Sequence, residues 1–97
     1  MMLVVVAYDV NTESEAGRRR LRRVARVCEG YGQRVQNSVF EVLVDAAGWV
    51  RARARLVGEI SQAEDSLRFY FLGDNWKGRI EHVGAKPSYD PQGPLVV

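Results

Sequence analysis

Residues Leu3–Tyr8 read LVVVAY, hydrophobic at every position rather than at every second one. A strand built from such a run has to be covered on both faces, which puts it in the interior of a sheet and not at an edge. A chain of 97 residues has material for one core only, so the rest of the fold is arranged around this strand. The run then ends on a carboxylate, Asp9, and is followed at once by NTESEAGRRRLRR. An acid at the tip of the most buried element, just ahead of a cluster of arginines, is the feature that any functional reading has to explain.

Composition narrows the classes. A hydrophobic fraction of 46% and a charged fraction of 27% are those of an ordinary globular domain. The single cysteine, Cys28, excludes an internal disulfide and suits a reducing, cytoplasmic setting. With one cysteine and one histidine, His82, the chain does not make a zinc site by itself. The opening MMLVVVAYDV lacks a basic n-region and is too short to span a membrane, so no secretory signal is expected.

After the first strand, Thr12 is a candidate helix cap, with Glu15 completing a capping box. The helix is expected over 13–29, with Leu21, Val24, Ala25 and Cys28 on its apolar face and Gly30–Gly32 ending it. RVQNSVFEVLV reads either as one long bent strand or as two short strands joined at Asn37. A second helix starts at the Asp45 cap, places Trp49, Ala52, Leu56, Ile60 and Ala63 on one face, and ends near Glu64. SLRFYFLG is a strand with Leu67, Phe69 and Phe71 opposite Arg68, Tyr70 and Leu72, and GRIEHV reads as a further short strand.

From Ala85 onward all three prolines appear, so the segment 85–97 is extended, and its apolar end Leu95–Val97 is expected to dock as an edge strand on this chain or a partner. The order β-α-β(β)-α-β-β predicts an α+β ferredoxin-like sandwich over 1–84, βαββαβ with an extra C-terminal strand contributed by 85–97. So small a core also makes self-association into a homodimer plausible.

Charge is segregated. Seven of the twelve arginines lie between Arg18 and Arg34 with Glu29 as the one acid, a local balance of +7 − 1 = +6 that leaves +2 − 6 = −4 for the remainder. Arg18, Arg19, Arg20, Arg22, Arg23 and Arg26 present planar forks that match phosphate oxygens, and nothing nearby resembles base readout, so sequence-independent backbone binding is the expected mode. A solvated helix face is the alternative, and Glu29 alone is too little acid to neutralise it.

Asp9 has two readings: a turn cap bonded to the Asn11 or Thr12 amide, or an oxygen ligand for a hard divalent cation, which takes only one or two protein carboxylates. One acid is a weak metal site, but a two-fold axis would bring two Asp9 carboxylates together. Arg34 and Gln36 are candidates to face a ligand while Phe40 packs or stacks. His82 reads as a surface residue, Cys28 as core, Tyr70 and Trp76 as packing, and Asp74 and Asn75 as turn residues.

A strand ending in YDV, the basic helix RRRLRRVARVCEGYG and then RVQNSVFEVLV closely resemble the small CRISPR-associated endonuclease family, the second of the two core Cas adaptation proteins. DSLRFYFLG and the apolar tail fit as well, so the resemblance covers nearly the whole chain. It implies a ferredoxin-like homodimer in which the C-terminal segment extends the neighbouring protomer's sheet. It also implies a catalytic Asp9 that binds magnesium at the dimer axis, with Tyr8, Arg18, Arg20, Arg34 and Phe40 around it. The activities implied are metal-dependent cleavage of single-stranded RNA or double-stranded DNA. The role implied in antiviral defence is to bridge two dimers of the CRISPR integrase and hold protospacer DNA, for which cleavage is dispensable.

Overall fold

The hydrophobic run becomes an interior strand. A computed structural model describes residues 1–84, in which β1 (Met2–Asp9) pairs antiparallel on one side with β3 (Val39–Val44) and on the other with β4 (Ser66–Gly73). β2 (Gly32–Gln36) completes a four-stranded antiparallel sheet of order β2-β3-β1-β4. α1 (Glu15–Glu29) connects β1 to β2 and α2 (Ala46–Glu59) connects β3 to β4, the βαββαβ arrangement that the element order predicts. The expected C-terminal strand Leu95–Val97, with the whole of 85–97, lies outside the described residues.

Strand alternation divides β1 between two faces. Val4, Val6 and Tyr8 point to the helices and join Phe40, Val42 and Val44 of β3 in one cluster with Val24, Val27 and Cys28 of α1 and Trp49, Ala52 and Leu56 of α2. Val5, Ala7 and Asp9 therefore belong to the opposite, open face, where Val5 and Ala7 are half-buried and Asp9 is exposed. The RVQNSVFEVLV segment resolves into two strands turning at Asn37 and Ser38, with a bulge between Arg34 and Gln36. Along β4, Leu67, Phe69 and Phe71 pair in turn with Tyr8, Val6 and Val4, so Phe71 faces the helices and packs edge-on against Trp49 at 5.6 Å between ring centroids, beside a like contact of Phe69 at 4.8 Å. The register slips only past Phe71, between Val4 and Leu3.

Both helices are shorter than their sequence patterns suggest. α1 is capped by Ser14, whose Oγ accepts from the Gly17 amide at 3.0 Å, and not by Thr12. The reason is steric. A Cβ on Gly17 would collide with the Asn11 carbonyl oxygen, so the first turn of α1 lies directly against the loop, which keeps residues 10–13 out of the helix. α2 is capped by Asp45 as expected, Oδ1 accepting from Gly48 at 2.7 Å, but stops at Glu59 with Ile60 already extended. Ala63 and Glu64 belong to the following turn, in which the Glu64 and Asp65 amides bond back to Ser61.

GRIEHV is not a strand. Trp76–Arg79 forms a 3-10 turn and the residues after it, to Val83, have no regular structure. The buried Trp76 ring and the Arg79 guanidinium, which donates to the Leu72 carbonyl at 3.0 Å, fold the chain back on the end of β4. No helix of the described residues is long and apolar enough to cross a membrane.

Cys28 is buried on the inner face of α1, and burial pushes its thiol up to about 12. We expect the folded protein to resist a disulfide reagent at mildly alkaline pH and to react fully in denaturant. Rapid labelling of the native protein would contradict this packing.

Candidate functional site

The functional geometry begins at the end of β1. Asp9 pairs with Ser66, the first residue of β4, and presents an exposed carboxylate that makes no hydrogen bond or ion pair among the described residues. The capping role open to it is filled by other groups. The Asn11 amide donates to Asp65 at 3.0 Å and the Glu13 amide to Asn11 Oδ1 at 2.9 Å.

Asp65 was invisible as a functional position in the sequence and is the most connected side chain here. Its carboxylate, wholly removed from solvent, accepts from the amides of Asn11 and Ser61 and from Arg20, whose Nε reaches Oδ2 at 2.8 Å and whose Nη2 reaches Oδ1 at 3.3 Å. The Arg20 guanidinium, followed by the two backbone amides, holds the Asp65 carboxyl at about 2, well below the usual carboxylate range. Arg20 also lies 3.5 Å from Glu64. It is thus engaged in tying α1 to the start of β4, and of the arginines expected around Asp9 it is the one with its fork already filled.

Arg34 sits on a different support. Its guanidinium lies 4.8 Å from the centroid of the Phe40 ring, donates to the Asn37 carbonyl at 2.5 Å and is 3.5 Å from Glu29, yet is still 43% exposed. Phe40 is fully buried, with the Tyr8 ring stacked 6.1 Å away, and Tyr8 is buried with its hydroxyl donating to the same Asn37 carbonyl at 3.2 Å. Burial raises the Tyr8 phenol above its ordinary value, so it is a neutral donor at physiological pH. Phe40 is closed off from solvent, whereas Tyr8, though buried, lines the cleft beside Arg34. Both act by holding Arg34 in place. Beside them a cleft of about 410 Å³ opens between α1 and the β2–β3 turn, floored by Leu21 and Ala25 and rimmed by Arg22 and Arg34.

The other arginines of α1 are exposed. Arg23 approaches Glu59 of α2 at 3.9 Å, and Arg18 donates to the Thr12 carbonyl at 3.2 Å. The neutralising acids therefore include Glu59, Glu64 and Asp65, distant in the sequence, as well as Glu29. Arg19, Arg22 and Arg26 pair with no carboxylate among the described residues. Gln36, expected to face a ligand, is exposed on β2.

An exposed acid ending the central strand of a ferredoxin-like sheet, with an arginine-rich helix and a ring-supported arginine, defines a small α+β protein of segregated charge. The sequence comparison agrees, and the chain belongs to the family described as CRISPR associated protein Cas2, whose pattern matches residues 2–80. A CRISPR-associated endoribonuclease Cas2 of Chlorobaculum tepidum is 62% identical over 96 residues, spanning 99% of this chain and 100% of that one. The crystal structure of Streptococcus pyogenes Cas2 superposes with a TM-score of 0.75 at 57% identity, covering 86% of this chain and all of that one. A chain of a partial Cas6-RT-Cas1–Cas2 complex superposes over the full length of both chains with a TM-score of 0.67 at 25% identity.

A buried carboxylate with this partner set makes a sharp prediction. Its depressed proton affinity stabilises the fold above about pH 4, and that contribution is lost as pH falls toward about 2. Asp65→Ala should cost about 3 kcal/mol in urea denaturation at neutral pH, because it leaves Arg20 and two amides without their acceptor. The difference from wild type should shrink over that acid window. Parallel loss of stability by both proteins across it would rule out Asp65 as the acid-sensitive group.

Proposed function

We propose that this chain is a homodimeric, magnesium-dependent endonuclease of CRISPR spacer acquisition, acting in the cytoplasm on single-stranded RNA or double-stranded DNA beside the CRISPR integrase. The observation that carries the reading is the freedom of Asp9. The turn that a carboxylate at this position would ordinarily cap is held by Asp65 and Asn11, so Asp9 is left exposed and, among the described residues, unpartnered. Relatives of this length bear the name endoribonuclease, and a Cas1–Cas2 complex contains a chain of this fold.

The donor chemistry fits a hard divalent cation only when two chains contribute. Among the described residues no three His, Cys, Asp or Glu side chains lie close enough to hold a metal, so one chain does not supply a full set of protein ligands around Asp9. Asp9 follows Val5 and Ala7 on the open face of the sheet, where β3 contributes the half-buried Val39, Glu41 and Leu43. This largely apolar strip suits an isologous contact, and a residue at the end of such a contact can meet its own copy. Two Asp9 carboxylates would then hold magnesium, which when bound neutralises charge on a phosphodiester and makes water more acidic. Arg18 and Arg34 supply phosphate contacts, Arg34 in an orientation fixed by Phe40 and the Asn37 carbonyl.

A second reading is supported by the same single carboxylate together with the basic helix. In it the dimer is an architectural clamp that holds protospacer duplex for the integrase without cutting it, and Arg18, Arg19, Arg22 and Arg23 are its grip.

Purified protein should cleave labelled RNA or duplex DNA with magnesium and fail to do so with chelator. Asp9→Ala should fall to the chelated background. Equal cleavage by wild type and variant would remove Asp9 from catalysis. For the clamp, replacing Arg18 and Arg22 with glutamine should lower the salt slope of duplex binding by about one unit per lost phosphate contact. An unchanged slope would show that α1 is not the nucleic-acid surface.

A further inference from the structure

α2 carries Arg51, Arg53 and Arg55, to which the site described above gives no task. Their placement follows from the contacts of their neighbours. Trp49 is turned toward β4, where it meets Phe69 and Phe71, whereas Glu59 is turned toward α1, where it meets Arg23. At about 100° per residue, Arg55 lies some 40° outward from Glu59 on that same side, and Arg51 another 40° or so beyond it. Arg53 falls on the opposite flank, the side of Trp49.

The cross-helix pairs also fix how α1 and α2 run past one another. Arg20 meets Glu64 and Asp65, and Arg23 meets Glu59, so moving up one helix is moving down the other. One turn further along, Arg26 of α1 comes level with Arg55 of α2. Two rows of arginine, Arg19, Arg23 and Arg26 on one side and Arg51 and Arg55 on the other, therefore line the outer seam between the helices, where the one ion pair among the described residues is that of Arg23 with Glu59. Arg19, Arg26, Arg51 and Arg55 pair with no carboxylate among the described residues. Like charges gathered within a Debye length destabilise the free protein slightly and attract a polyanion.

We propose that this seam is a second phosphate track for duplex nucleic acid, in which Arg51 and Arg55 of α2 extend the grip of Arg19 and Arg26 across the helical layer. The proposal rests on the nucleic-acid reading of α1 given above. Relief supports a rigid, bulky ligand. The crest of α2 next to the row is formed by the exposed small residues Ala47, Ala54 and Gly58, and a Cβ on Gly58 would meet nothing within 4 Å. Arginine forks thus stand beside a low surface that a backbone can approach closely. Protein-docking faces are built otherwise, around aromatic or aliphatic anchors depleted of charge. On this crest the one large exposed apolar side chain is Val50.

The test is a salt series of duplex DNA binding, followed by fluorescence anisotropy, for the full chain carrying Arg51→Gln and Arg55→Gln. Both side chains are exposed, and retention of the wild-type circular dichroism spectrum and melting temperature shows that the variant is folded. The slope of log affinity against log salt should fall by about two units, while Arg53→Gln, on the other flank, leaves it unchanged. A wild-type slope for the double variant alongside a reduced slope for Arg18→Gln with Arg22→Gln overturns the seam and leaves the reading of α1 standing. Wild-type slopes for both overturn the two together. A double variant that binds DNA normally but no longer co-elutes with the CRISPR integrase in the absence of DNA would make the seam a protein-docking face and likewise overturn the proposal.

Discussion

The side chain on which this small fold turns is Asp65. A carboxylate with no solvent contact is tolerable only when its charge is opposed and its lone pairs are occupied, and here a two-pronged contact from Arg20 and the amides of Asn11 and Ser61 do both. Those four donors come from three places in the chain: the loop leaving β1, the middle of α1, and the turn leaving α2. One carboxylate therefore fixes how both helices enter and leave the sheet. Because the residue after it, Ser66, pairs with Asp9, the same interaction sets the end of β1 where the exposed acid stands. The freedom of Asp9 follows from the engagement of Asp65.

The arginines then separate by what supports them, although their side chains are chemically identical. Arg20 is structural, with its fork filled by carboxylate. Arg34 is oriented but still partly open to solvent, held by the Phe40 ring and the Asn37 carbonyl. Arg19, Arg22 and Arg26 pair with no carboxylate among the described residues. Preorganisation and availability trade against each other along this series. A filled fork gives rigidity and no binding, whereas a free one binds phosphate but must lose side-chain entropy to do so. Arg34 occupies the useful middle, and Tyr8 and Phe40 matter because they put it there. Two residues that a motif associates with the ligand are, in physical terms, the buried base of a third.

Much of this was legible in the sequence where the signal is local. The unbroken hydrophobic run identified the central strand, Asp45 identified the start of α2, and the alternation of SLRFYFLG gave the correct inner face through Phe71. Asn37 marked the turn between β2 and β3. What the sequence could not carry was partnership over distance. Arg20 and Asp65 are 45 residues apart, and no spacing rule links them. Judged against its sequence neighbours alone, the basic helix seemed to have only Glu29 for company, whereas α2 and the turn after it supply three further acids. Thr12 and Ser14 are both good caps, and the choice between them was made by the contact of Gly17 with Asn11, again not a local property. GRIEHV alternates like a strand, but the burial of Trp76 just before it turns the chain first.

The two faces of the sheet ask for different things, and this explains why so few chemical groups suffice. The helical face is closed by a single hydrophobic cluster, and its exterior carries the cations. The open face carries the half-buried Val5, Ala7, Val39 and Leu43, with Glu41 and Arg68 among them, and ends at Asp9. A chain that kept both an acid pair and its phosphate grip on one surface would have to hold two carboxylates apart from seven neighbouring arginines, which would draw them into ion pairs and neutralise both sets. Arg20 and Asp65 show how completely that happens when a fork and a carboxylate meet in the interior. Asp9, at the strand end on the open face, pairs with no arginine among the described residues. In the proposed dimer, symmetry would supply the second acid, with no additional residue from a core this small.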